Sequence, residues 1–220
     1  MTHLDLPPEV PFPPPPWRAT GRMWLATTEC THEIAIPSDL DAVGGARRLV
    51  IGLVRYEEGT LRYDELVVGS VVRSGRRIGV LAQHIWVDDP ASLWGGRRLW
   101  GIPKQLASFD WDGPAVHVTS GGSHLAELLV RPAASWLLPP LPLPATGFGR
   151  LGDHRVFLPG RMRARLAPAT IEIGHWAPPL PPITGTRLRA LVAVRCRFAF
   201  PAGRVLGPVS VPEHSSRKRP

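Results

Sequence analysis

Cysteine is nearly absent from this chain of 220 residues: Cys30 and Cys196 are too few for a disulfide framework and sit at no metal-ligand spacing. A reduced, cytoplasmic protein with packed thiols is the expectation. No apolar run approaches the ~18 residues of a membrane span, so no membrane partner is expected. Residues 1–17 are acidic and proline-rich and lack the basic and apolar regions of a secretion signal. A Gly-x-Ser-x-Gly elbow, a phosphate-cradling loop and a dinucleotide fingerprint are all missing. The histidines are scattered, with no cysteine or carboxylate at ligand spacing, which argues against a metal.

Lysine is the second scarcity. Of the 26 Lys and Arg residues only Lys104 and Lys218 are lysine, and the net charge is +8. The arginines fall in short scattered pairs such as Arg47-Arg48, Arg76-Arg77 and Arg97-Arg98. No basic stripe interleaved with aromatics appears, so nucleic acid is not an expected partner.

Proline (26) and glycine (22) are abundant, but the prolines gather in residues 7–16, 132–144 and 178–182. Between those stretches the chain is apolar and β-branched, which is the composition of a folded domain with a sizeable core. The organisation read from this is a proline-rich arm at 1–17, one domain at 18–210 and a basic tail at 211–220, its end frayed.

Short apolar runs at 22–28, 48–55, 63–72, 78–87, 115–119, 124–130, 149–158, 163–173 and 188–200 read as strands. Pro37 to Asp41 reads as a turn into a short helix. Residues 90–100 carry Leu93, Trp94, Leu99 and Trp100 at helical spacing, with Asp89 or its neighbour as cap and Pro90 in the first turn. Gly101-Ile102-Pro103 stops that helix. The expectation is a mainly β (α+β) antiparallel fold with a few short helices.

Lys104 follows that stop, flanked by Trp100, Ile102, Leu106, Phe109 and Trp111. In a chain that uses arginine almost throughout, a lysine among apolar neighbours suggests chemistry that guanidinium cannot perform. A desolvated ε-amine can lose its proton and attack a carbonyl. A plain loop lysine is the other reading of the same residues.

The segment from His84 to Ala91, followed by Gly96-Arg97-Arg98-Leu99-Trp100-Gly101-Ile102-Pro103-Lys104-Gln105-Leu106-Ala107, resembles the acetoacetate decarboxylase family. Tyr63-Asp64-Glu65 is similar to that family's Tyr-x-Glu, and Gly21-Arg22-Met23-Trp24 to its arginine before an aromatic strand. The resemblance implies a closed or nearly closed antiparallel β-barrel and a cofactor-free site. Within it, Lys104 would form the Schiff base, Glu65 position the lysine or move protons, and Arg22 anchor a carboxylate or organise the glutamate. The family also tends towards homo-oligomers. Gln83, Trp100, Ile102 and Gln105 are the candidate substrate-binding residues.

Three positions depart from the family pattern. Gln105 replaces a second lysine, so activation of Lys104 falls to the apolar wall. Val50 or Ile51 stands where the decarboxylases carry a further glutamate, and Arg98 follows Gly96-Arg97 in place of glutamate. The imine centre is kept while its decarboxylase surroundings are not. The expected function is therefore a Schiff-base lyase acting on a small keto acid or other carbonyl compound by decarboxylation. The alternatives are an aldolase or dehydratase on a larger keto acid, a non-catalytic binding domain, or an oligomeric structural protein whose proline arms wrap a neighbour.

Overall fold

The computed structural model describes residues 6–209, and the basic tail and Lys218 lie outside them. Among the described residues there are fifteen strands in one sheet and one helix. The first five strands are β1 (Trp17–Glu29), β2 (Asp41–Ala42), β3 (Arg48–Gly59), β4 (Tyr63–Ser74) and β5 (Arg77–Val87). Helix α1 (Pro90–Trp100) leads into β6 (Lys104–Leu106), β7 (Ser108–Asp112), β8 (Ala115–Ser120) and β9 (Ser123–Pro132). Next come β10 (Leu141–Pro144), β11 (Gly147–Leu151), β12 (His154–Leu158) and β13 (Arg161–Trp176). The last two are β14 (Arg187–Phe200) and β15 (Arg204–Pro208).

The main path of the sheet runs β15-β12-β11-β5-β4-β3-β1-β14-β13-β9-β8-β7. Among the described residues it runs from β15 to β7 without closing, so it is an open sheet rather than a closed barrel. The mainly β class and the antiparallel pairing hold; β11 and β6 are exceptions, each running parallel to β5. The short helix expected after Pro37 is absent: a turn there leads into β2, which pairs with β4. The run at 149–158 is a hairpin of two strands, β11 and β12, turning at Gly152.

Strand alternation explains the layering. On β3, Leu49, Ile51 and Leu53 belong to the main core with Trp24, Leu66, Val68 and Trp86. The intervening Val50, Gly52, Val54 and Tyr56 face a cavity on the other side. A strand buried on both faces reads as an unbroken apolar run, which is the pattern of residues 48–55.

The described part of the arm folds back on its own helix. Arg98 pairs with Glu9, and Trp94 Nε1 donates to the Pro8 carbonyl at 3.0 Å. Trp17 packs edge-on against Trp100 with ring centroids 4.8 Å apart.

Candidate active site

Helix α1 starts where its cap directs it. Asp89 Oδ1 accepts from the Ser92 amide at 2.5 Å with Pro90 in the first turn, and Gly101, at φ 66°, closes the C-terminus in the left-handed region. The chain then turns into β6, which pairs parallel to β5 with Lys104 opposite Ile85. Arg97 secures the turn by donating from Nε to the Lys104 carbonyl at 2.7 Å. Gly96 leaves the room the lysine needs, because a Cβ there would stand 2.6 Å from Lys104 Cδ.

Lys104 is 3% exposed. Its Nζ donates to Glu65 Oε2 at 2.8 Å and to Ser92 Oγ at 2.9 Å, with the Tyr63 hydroxyl at 3.5 Å. Tyr56, the Cα partner of Tyr63 across the β3–β4 hairpin, directs its hydroxyl to Glu65 Oε1 at 3.5 Å. Five side chains from β3, β4, α1 and β6 thus form one buried polar cluster.

Burial works to lower the Lys104 pKa, but the Glu65 carboxylate and the Tyr63 hydroxyl outweigh it and hold it above the ordinary lysine value. The resting lysine is an ammonium paired with Glu65. That corrects the expectation of an amine kept neutral by its apolar wall. Both tyrosines are pushed up, chiefly by burial, so they are neutral donors.

A cavity of about 320 Å³ lies beside the cluster, and Glu65, Tyr56, Ile85 and Ile102 form the end next to Lys104. Of the expected site residues, Lys104, Glu65 and Ile102 therefore come together. Arg22 does not join them: its Nε pairs with Glu57 at 2.7 Å on the exposed face of β1, while its neighbour Met23 lines the cavity. A register shift between Thr20 and Gly21 sets that phase. Gln83 falls at a bulge in β5, between the Ala82 and His84 pairings, and its amide donates to Ser70 Oγ at 3.1 Å, away from the cavity. Trp100 packs with Trp17 and Leu158 and donates to the Pro201 carbonyl, so it anchors the arm. Gln105 lies opposite Trp86 on the core-facing side of β6.

Tyr56 and Ser92 went unnoticed in the sequence, and Tyr63 was read only as part of a motif. Ser92 stands three residues after the capping Asp89, which sets it in the first helical turn. The two-residue period of β3 places Tyr56 on one face with Val50 and Val54. Away from this site, His117, His124 and Glu127 bring ligand atoms within 4.8 Å of one another, so these histidines are less scattered than their spacing suggests. Among the described residues no helix is long and apolar enough to cross a membrane.

Residues 6–151 match the family model described as acetoacetate decarboxylase (ADC). Over 133 residues the chain is 32% identical to acetoacetate decarboxylase 1 of Bradyrhizobium diazoefficiens, covering 56% of this chain and 50% of that protein. Over 109 residues it is 32% identical to acetoacetate decarboxylase 3 of Mesorhizobium japonicum, covering 44% and 40%. The matched stretch spans half or less of the length of these relatives. The fold is similar to that of acetoacetate decarboxylase from Legionella pneumophila, with a TM-score of 0.63, 15% identity and 94% of each chain covered. It is equally similar to the enduracididine biosynthesis enzyme MppR, complexed with the condensation product of pyruvate and imidazole 4-carboxaldehyde. There the TM-score is 0.65 at 15% identity, covering 90% of this chain and 92% of that one.

Proposed function

The chain belongs to the acetoacetate decarboxylase family, and from that premise we propose that it is a carbon–carbon lyase in which Lys104 forms an imine with a keto acid. The observation that carries this reading is a buried lysine hydrogen-bonded to Glu65, the carboxylate that lines one end of a small-molecule-sized cavity.

A substrate carbonyl entering beside Glu65 displaces water and leaves the Lys104–Glu65 ion pair in a medium that disfavours both charges. The proton then passes from Nζ to Glu65 Oε2, and the free amine attacks the carbonyl carbon. The carbinolamine takes that proton back on its oxygen and loses water, giving an iminium. The bond to the carboxylate breaks, carbon dioxide leaves, and the electron pair moves through the adjacent carbon onto nitrogen as an enamine. A proton returned to carbon and addition of water then release the ketone and restore the amine. Apolar walls favour the carboxylate's departure as a neutral gas.

Aldol-type cleavage or condensation is the second reading, favoured by Gln105 and by Val50 or Ile51, which stand where the decarboxylases of the family carry a lysine and a glutamate. Against it, no arginine or lysine lines the cavity among the described residues, so a carboxylate that stays through the reaction meets no counter-charge there. Borohydride reduction in the presence of keto acids and aldehydes, followed by peptide mass mapping, tests both. An adduct on the Lys104 peptide, lost in Lys104→Ala, with carbon dioxide released from keto acids, is the expected result. An adduct without carbon dioxide selects the aldol reading, and no adduct with any carbonyl compound refutes Lys104 as the nucleophile.

A further inference from the structure

The cavity beside Lys104 is shaped and lined for more than a small keto acid. It follows β4 from Glu65 through Val67 to Val71 and β5 from Ile85 through Ala82 to Ile78. Six residues of strand at ~3.3 Å each make this about 20 Å long. The reacting groups occupy one end, while Ile78, half exposed, stands at the other.

The lining is almost wholly hydrocarbon. Valines and isoleucines of β3, β4 and β5 form one wall, and Phe148, Met162, Phe198 and Phe200 close over it. Glu65 is the only charged side chain among the described residues that line the cavity. Thr146 is spoken for, because its hydroxyl donates to the Ile78 carbonyl at 2.7 Å. A charged or hydroxylated substrate body would lose its water along this trough and find no partner. Val50 extends the same apolar surface.

We infer that the substrate carries an unbranched hydrocarbon chain of medium length, laid along β4 and β5 with its carbonyl at the Glu65–Lys104 end and no charge along its body. This rests on Lys104 as the imine-forming residue and narrows the substrate class of that site. A β-keto acid meets the description if its carboxylate sits at the lysine end, and so does a plain methyl ketone.

Methyl ketones of increasing length test it, since they are also what decarboxylation of such keto acids leaves behind. Borohydride trapping on the Lys104 peptide is measured as a function of ketone concentration for butanone, methyl hexyl ketone and methyl decyl ketone, with pyruvate as the short anionic comparison. Each buried methylene tightens half-saturation by about fourfold, which over the four extra methylenes of methyl hexyl ketone relative to butanone is about 250-fold. In Ala82→Phe, which fills the middle of the trough, the ratio between those two ketones collapses towards one. Butanone or pyruvate trapping at equal or lower concentration than methyl hexyl ketone overturns the inference and leaves the lysine chemistry standing. Calorimetric binding of the same ketones needs no imine and separates the other failure. Binding that tightens with chain length without any adduct refutes Lys104 as nucleophile but upholds the ligand class, whereas no chain-length trend in either measurement overturns the class.

Discussion

Replacing Glu65 by glutamine removes the only carboxylate among the described residues within hydrogen-bond reach of the buried Lys104 ammonium. The two side chains are 4% and 10% exposed, so solvent screens the pair weakly. Breaking a buried pair by deleting one partner costs about 3–5 kcal/mol. The low end, about 3 kcal/mol, applies here because Ser92 Oγ and the Tyr63 hydroxyl remain as acceptors. The pH dependence carries the sharper signature. In the natural protein the folded lysine pKa is raised, so this contribution is complete below the unfolded value of about 10.4 and is lost as pH rises through the folded value. In Glu65→Gln burial dominates, the folded pKa drops below the unfolded one, and stability rises with pH between the two. Urea unfolding followed by tryptophan fluorescence from neutral to alkaline pH reads the slopes directly. The variant's stability should climb over that range while the natural protein's does not. Parallel profiles, or a variant as stable as the parent at neutral pH, would refute the ion-pair account of this lysine.

Gly96→Ala sets a Cβ 2.6 Å from Lys104 Cδ; borohydride trapping should slow about tenfold or more as the amine is displaced, although the helix itself gains from alanine. Arg22→Ala should leave trapping unchanged and cost less than about 1 kcal/mol in urea unfolding, since Arg22 makes an exposed pair with Glu57. Asp89→Ala removes the helix cap at a cost of about 1 kcal/mol. Because Asp89 holds the Ser92 amide, trapping in that variant should slow as well, whereas a loss of stability alone would show that the cap does not position Ser92.

Helix α1 was legible to the residue because cap, first-turn proline and stop are local signals that no distant contact overrides. Strand β3 was legible because burial on both faces writes an unbroken apolar run. The phase of a strand was less accessible. Arg22 and Gln83 both lie beside irregular pairings, and one residue of slip moves a side chain to the opposite face. Trp100 looked like a pocket wall because its neighbours are apolar, yet its partners, Trp17 and Pro201, are far away in sequence.

Composition together with the apolar flanks pointed to Lys104, since a chain that writes nearly every cation as arginine marks the amine it keeps, but left a plain loop lysine as the other reading. The family resemblance brought Glu65 beside it, and capping residues set the helix whose first turn carries Ser92. Tertiary structure alone decided that the lysine is a paired ammonium, because its charge state depends on the 2.8 Å approach of a carboxylate from a strand 39 residues earlier. It also decided that the adjoining cavity is long and, among the described residues, lined by no cation, because alternation on neighbouring strands turns every second side chain inward, and only their pairing shows that those side chains share one apolar wall.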